Sequence, residues 1–123
     1  MVQTMIIYLA GPMSGIPHFN FPAFHKAAAW LRAQGHTVFN PAEWDIKKYG
    51  DISEHNTTGD IVQAAGDGFN LREALAKDTQ FICMEADAIA LLPGWEYSSG
   101  AVAEWSLGRA FGHEFIYLRE GEF

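Results

Sequence analysis

Met5-Ile6-Ile7-Tyr8-Leu9-Ala10 is an unbroken apolar run stopped at once by Gly11-Pro12. A run this short, with no polar alternation, reads as a strand buried on both faces, and such strands sit in the middle of a parallel sheet covered by helices on either side. The rest of the chain supplies those helices. Asn20 is placed to cap one, with Pro22 in its first turn, Phe24, Ala27, Ala28 and Leu31 as its apolar stripe, and Gly35 as its stop. Thr37-Val38-Phe39 reads as a second strand, broken by Asn40-Pro41.

From Ile46 to Gly68 clear periodicity is lost and Gly, Asp, Thr and Asn accumulate. This stretch, about 46–70, is expected to be a mobile excursion with a short helix near Ile61 to Ala65, serving either as a lid or as a surface insertion. Asn70-Leu71-Arg72-Glu73 then resembles a capping box, and Leu71, Leu75, Asp78 and Ile82 recur at helical spacing. Ala88 to Leu92 reads as strand three, Ser99 to Phe111 as a helix ended near Gly112, and Phe115 to Leu118 as strand four. Alternation of this kind predicts an α/β fold: a three-layer α/β/α sandwich around a small parallel, Rossmann- or flavodoxin-like sheet with right-handed crossovers. At 123 residues and 49% hydrophobic content, one domain over 1–123 is expected.

The formal net charge of −7 argues against a nucleic-acid polymer as the main partner, while a small anion can still be held by a few local N–H donors. Cys83 is the sole cysteine and is expected in the core, so a reducing, cytoplasmic setting is the simpler expectation. Met1-Val2-Gln3-Thr4 carries no basic leader, and the run from Met5 to Ala10 is too short for a membrane span. Asn56-Thr57-Thr58 matches a glycosylation sequon, taken as chance in a chain with no sign of secretion. The five histidines show no metal-binding spacing, so neither a metal nor a cofactor is expected.

In such a fold the loops at the carboxyl ends of the strands converge, bringing together Gly11 to Gly15, Asn40-Pro41 and Gly94 to Gly100. Ser98-Ser99-Gly100 opens a helix, where unpaired N–H groups and a partial positive charge suit a phosphate. Gly11 and Gly15 either permit close approach of a ligand or merely form a strand-to-helix turn. Glu104 lies further along the same helix, outside any capping box, with the small Gly100 and Gly108 at helical spacing leaving room beside it. Asp78 is an acid on an apolar stripe. Burial would raise its pKa, making it either a proton donor or a tie for the neighbouring loop. Asp87 precedes strand three and belongs to the opposite edge, fixing a turn. Trp95, Tyr97, Phe19 and Phe21 either stack on a planar base or pack internally, and His18 either lines the pocket or is an exposed loop residue.

Tyr8-Leu9-Ala10-Gly11-Pro12, Asp78, Pro93-Gly94 and Ser98-x-Gly100-x-x-x-Glu104 occur in an order that resembles the nucleoside 2-deoxyribosyltransferase-like superfamily, and within it the uncharacterised DUF4406 branch. The resemblance runs from Met5 to about Leu118, apart from Ile46 to Gly68. It implies that Glu104 is a nucleophile attacking C1′ of the sugar, that Asp78 assists the departing base, and that Tyr8 and Gly11 shape the pocket. Pro12, Ser14, Gly15, Trp95, Ser98, Ser99 and Gly100 complete the implied binding set.

Serine at position 98, where deoxyribosyltransferases carry an acid, is similar to the nucleotide N-glycosidases. That implies cofactor-independent hydrolysis of a (deoxy)nucleoside 5′-monophosphate through a glycosyl-enzyme intermediate. The first loop lacks the arginine that mammalian-type hydrolases carry near the phosphate, so Ser14, backbone donors or a partner subunit would serve, and a homodimer or higher homo-oligomer is expected. The alternatives are base exchange between nucleosides and, in another class, a non-catalytic nucleotide sensor. A lysine-decarboxylase-like phosphoribohydrolase would require a Pro-Gly-Gly-x-Gly-Thr-x-x-Glu pattern, which Pro93 to Glu104 does not supply.

Overall fold

A computed structural model describes residues 3–123, so Met1 and Val2, part of the N-terminal stretch in which no basic leader was read, lie outside the described residues. Four strands, β1 (Ile6–Ala10), β2 (Thr37–Phe39), β3 (Ala88–Leu91) and β4 (Glu114–Tyr117), form one all-parallel sheet in the order β2-β1-β3-β4. The apolar first strand is therefore interior, as its composition requires. Among the described residues five α-helices accompany it: α1 (Phe21–Ala33), α2 (Pro41–Tyr49), α3 (Ile61–Gly66), α4 (Leu71–Met84) and α5 (Ser99–Phe111).

Side chains alternate across β1 with a period of two and so separate two cores. Ile7 and Leu9 pack with Phe24, Ala28 and Leu31 of α1 and with Ala42 of α2. Tyr8 and Ala10 face the other way, into a cluster with Ile82 of α4 and with Ile89 and Leu91 of β3, against which Trp105 of α5 packs. Helices on both faces complete the α/β/α sandwich. Burying this much side chain at about 25 cal/mol per Å² is the main force holding the layers together.

Local details depart from the sequence reading in five places. Asn40-Pro41 does more than break β2: the Asn40 side chain accepts the Ala42 N–H (2.9 Å) and Pro41 occupies the first turn, so the pair starts α2. Residues 46–49 of the supposed excursion therefore belong to a helix. Asn20 precedes α1 without capping it; its backbone is left-handed (φ 61°) and its amide donates instead to the Pro12 carbonyl at 3.0 Å. Asn70 does cap α4 at the Glu73 N–H (3.1 Å), but the Glu73 carboxylate accepts from the Tyr49 hydroxyl rather than closing a capping box. Leu71 is half-exposed, outside the buried stripe of Ala74, Asp78 and Ile82. Cys83 is exposed, because it follows Ile82 by one helical step of about 100° and turns away from the core.

The stretch after α2 is stitched to the first loop. Gly15 N–H donates to the Gly59 carbonyl (2.8 Å), His18 N–H to the Asn56 carbonyl (3.0 Å), and the His18 ring lies 2.8 Å from the Ser53 carbonyl. His18, Phe19 and Asn20 all have left-handed backbones, a conformation that costs L-residues energy and persists only when its surroundings impose it. These cross-loop bonds and the burial of Phe19 supply that constraint. A Cβ on Gly59 would lie 2.2 Å from the Ile16 carbonyl oxygen, so only glycine permits the approach. Asp87 accepts the Ile6 N–H at 3.0 Å, which fixes the turn into β3 at the edge remote from the pocket. Among the described residues no helix is long and apolar enough to cross a membrane.

Candidate active site

In this strand order the chain leaves β1 toward β2 on one side and β3 lies on the other, which opens a crevice above the carboxyl ends of β1 and β3. A cavity of about 310 Å³ occupies it. Tyr8, Gly11, Pro12 and Ser14 line it from β1 and the first loop, and Asp78 lines it from α4. Ser98, Ser99, Gly100 and Glu104 line it from α5. Nine of the residues singled out from the sequence thus meet in one place.

Gly15 and Trp95 do not line this cavity. Gly15, with φ +81°, is bonded through its N–H to the Gly59 carbonyl, and Trp95 packs on Trp105 at 5.4 Å and Tyr117 at 6.0 Å. The helix and strand that carry those partners explain why an aromatic beside the turn is internal packing and not a stacking platform. Tyr97, by contrast, lines the cavity and is 92% exposed. Phe19 and Phe21 belong to the core and border a smaller void that adjoins the main cavity along Met13, Ser14, Asp45, Phe69 and Leu71. His18 is also absent from the main cavity.

Two glycines have a different purpose from the one read in sequence. A Cβ on Gly11 would stand 2.8 Å from the Leu92 Cβ, and one on Gly108 would stand 2.5 Å from the Ile89 Cδ1. Both positions are small because strands and helix pack against them. Gly100 is the open one, with only the Ser98 Oγ within reach, at 4.0 Å.

At the centre of the site the Tyr8 hydroxyl donates to Glu104 Oε2 at 2.5 Å. Tyr8 is held by Phe39 and Phe81, with ring centroids at 5.7 and 6.4 Å, so its hydroxyl is aimed by packing. Glu104 is only 5% exposed, and burial, reinforced by the charge of Asp78 and offset by the Tyr8 hydrogen bond, lifts its pKa to about 8. Asp78, 8% exposed, is lifted by burial to about 7, with the Tyr8 hydroxyl and Lys77 pulling the other way. Burial and the two acids together push the Tyr8 phenol well above its ordinary range, so it remains a donor.

The start of α5 provides the other half. Ser98 Oγ accepts the Ala101 N–H at 3.2 Å, so its hydroxyl oxygen caps the helix. The N–H groups of Ser99 and Gly100, at the first two positions of α5, have no acceptor within the helix, and both residues line the cavity at the end of the helix where an anion is favoured. No lysine, arginine or histidine is among the cavity-lining residues. Any anion held there relies on backbone donors, hydroxyls and the helix dipole.

One buried acid was not foreseen. Asp45, on α2, lines the same cavity, is 4% exposed, and has an Oδ1 without a hydrogen-bond partner among the described residues. Burial, and secondarily the charge of Asp78, lifts it to about 8. The signal was present, since Ala42 and Asp45 are three apart and share a helix face, but it becomes visible only once α2 is recognised.

A parallel α/β sandwich with buried acids gathered at its topological crevice defines a candidate small-ligand site. The profile of the family described as Domain of unknown function (DUF4406) matches residues 5–117, and the chain belongs to that family. No curated protein matches the chain.

Proposed function

We propose that this chain is a nucleotide N-glycosidase of the nucleoside 2-deoxyribosyltransferase-like superfamily, acting on a (deoxy)nucleoside 5′-monophosphate. The single observation that carries the reading is the buried Tyr8–Glu104 hydrogen bond, with Asp78 facing the same cavity and an uncapped pair of N–H groups at its rim. A carboxylate whose orientation is fixed by a tyrosine, beside a second carboxyl group held partly protonated, is the equipment of retaining glycoside cleavage.

The reaction runs in two displacements. Ionised Glu104 attacks C1′, forming an ester as the bond from C1′ to the base nitrogen breaks, and the electron pair leaves with the base, which takes a proton from Asp78. Water then attacks C1′, its proton passes to Asp78, and the released ester restores the Glu104 carboxylate. The products are the free base and the sugar 5-phosphate. Ser99 and Gly100 N–H groups hold the phosphate, with Ser14 across the cavity. No cofactor is required by this chemistry, and a homo-oligomer would bring further groups to the open rim beside Tyr97.

The test is incubation with a panel of nucleoside monophosphates and chromatographic detection of free base. Cleavage by the wild type and none by Glu104→Ala is the expected result. Equal cleavage by both removes the mechanism. Adding an acceptor base separates hydrolysis from base exchange by the appearance of a new nucleoside, and binding without any product favours the sensor alternative.

A further inference from the structure

We propose that the smaller void beside the main cavity is a branch of the binding site, and that it takes a short apolar substituent carried by the base of the ligand. The inference rests on the nucleotide reading above and narrows its substrate class. The branch has a volume of about 70 Å³, and its two polar lining residues, Ser14 and Asp45, both stand on the boundary that it shares with the main cavity. Beyond that boundary the lining is Phe19, Phe21, Ile52 and Ile61. A water molecule needs two or more polar partners, which these four side chains do not offer, whereas an apolar cavity of about 150 Å³ takes up benzene. At about half that volume the branch suits an alkyl group of roughly three carbons.

Its walls stand on fixed backbone. Phe19 lies in the left-handed stretch from His18 to Asn20, which the His18 N–H pins to the Asn56 carbonyl at 3.0 Å. Ile61 opens α3, where the Asp60 side chain accepts the Val62 N–H at 2.9 Å. A void lowers stability in proportion to its size, so one kept against a ligand cavity by backbone tied in this way calls for an occupant. Tyr8, Asp78, Glu104, Ser99 and Gly100 line the main cavity and not the branch; of the residues assigned to sugar and phosphate, Ser14 alone touches it. With C1′ at Glu104 and the phosphate at Ser99 and Gly100, the base is the part of the nucleotide left to reach the boundary. The segment from Ile52 to Ile61, which the resemblance does not cover, thus sets the size of the group that the base can carry.

The experiment measures binding, independently of cleavage. Glu104→Gln protein is titrated calorimetrically with two series: deoxyuridine monophosphate with its 5-methyl, 5-propyl and 5-hexyl derivatives, and adenosine monophosphate with the same groups on its 6-amino nitrogen. In at least one series affinity is expected to rise by up to about fourfold per carbon as far as propyl, the usual worth of a buried methylene, and to fall at hexyl. Ile61→Phe, which narrows the branch, should flatten the rise, and Ile61→Ala, which widens it, should let hexyl bind at least as tightly as propyl. If no derivative binds more than about twofold tighter than its parent, the inference is overturned while the nucleotide reading stands. A rise that continues to hexyl in the Glu104→Gln protein, or that persists in a folded Ile61→Phe, also overturns it. Should the Phe variant not fold, an unchanged series in Ile61→Ala does the same. Failure of every parent and derivative to bind removes the nucleotide reading itself, and this inference with it.

Discussion

Replacing Asp45 by asparagine should change how the stability of the protein depends on pH. In the folded chain Asp45 titrates near 8, against an ordinary value of 3.8 once unfolded. The folded state therefore binds one more proton than the unfolded state throughout the interval between those values, and stability must fall as pH rises through it. The sign is that of any acid whose pKa is raised by folding: its contribution is fully present below about 4 and is lost by the time pH passes 8. Each pH unit is worth about 1.36 kcal/mol per proton, and allowing for the onset of ionisation at both ends, Asp45 alone removes about 3.5 kcal/mol between pH 5 and 8. Asparagine has no such term. Whatever constant amount the amide adds or subtracts, the stability of Asp45→Asn minus that of the wild type should grow by about 3 to 4 kcal/mol over this range, somewhat more if removing the Asp45 charge also lets Asp78 ionise more easily. Urea denaturation at pH 5, 6, 7 and 8 measures it. Parallel stability curves for the two proteins would refute the burial argument, because they would mean that Asp45 is ionised and solvated in the folded state.

Catalysis should also follow the acids. The productive form needs Glu104 ionised and Asp78 protonated, so kcat/KM for base release is expected to be bell-shaped with its maximum between pH 7 and 8, and a flat profile from pH 6 to 9 would contradict the assignment. Tyr8→Phe removes the hydrogen bond that favours Glu104 ionisation. Because the same hydroxyl also favours Asp78 ionisation, the whole bell should move to higher pH, with activity at pH 7 down by about fivefold for a shift of about one unit in each group. Gly108→Ala places a methyl group 2.5 Å from the Ile89 Cδ1, a fully buried side chain with little room to yield, and should destabilise the fold by about 1 to 3 kcal/mol in thermal or urea melts. A stability within about 0.3 kcal/mol of wild type would show that α5 can shift off the sheet at little cost.

What could be read from the amino acids alone was whatever local pattern determines. The unbroken run to Ala10 announced an interior strand, and Ser98 with the helix to Phe111 and Gly112 marked α5 from end to end, because cap, period and stop all agree there. Asp78 was visible as an acid on an apolar stripe, and Glu104 as an acid without a capping role between two small neighbours. Two kinds of failure have a common cause, a partner distant in sequence. Gly11 was read as either room for a ligand or an ordinary turn and Gly108 as room beside Glu104, since Leu92 and Ile89 can be known as their neighbours only once the sheet has formed. Trp95 looked available for stacking until Trp105 and Tyr117 occupied its faces. Asn40-Pro41 was taken as a strand ending although the same two residues are a helix start, and Asp45 was lost with α2.

Recovering Asp45 alters the physical character of the site. Two acids could be accommodated as a nucleophile and a proton donor, each with the Tyr8 hydroxyl near it. A third, buried as deeply and supported by no cation among the lining residues, adds cost without adding a step to the reaction. Its charge and that of Asp78 oppose one another, and Asp78 opposes Glu104 in turn, so ionising any one of the three raises the proton affinity of its neighbours. A ligand that donates hydrogen bonds to ionised Asp45 and Asp78 would relieve part of this, while the Tyr8 hydroxyl steadies the Glu104 carboxylate. The arrangement that weakens the empty fold as pH rises is thus the one that binding would repair. Saturating ligand should therefore flatten the descent of stability from pH 5 to 8, and a descent equally steep with and without ligand would show that the acids are not what the ligand touches.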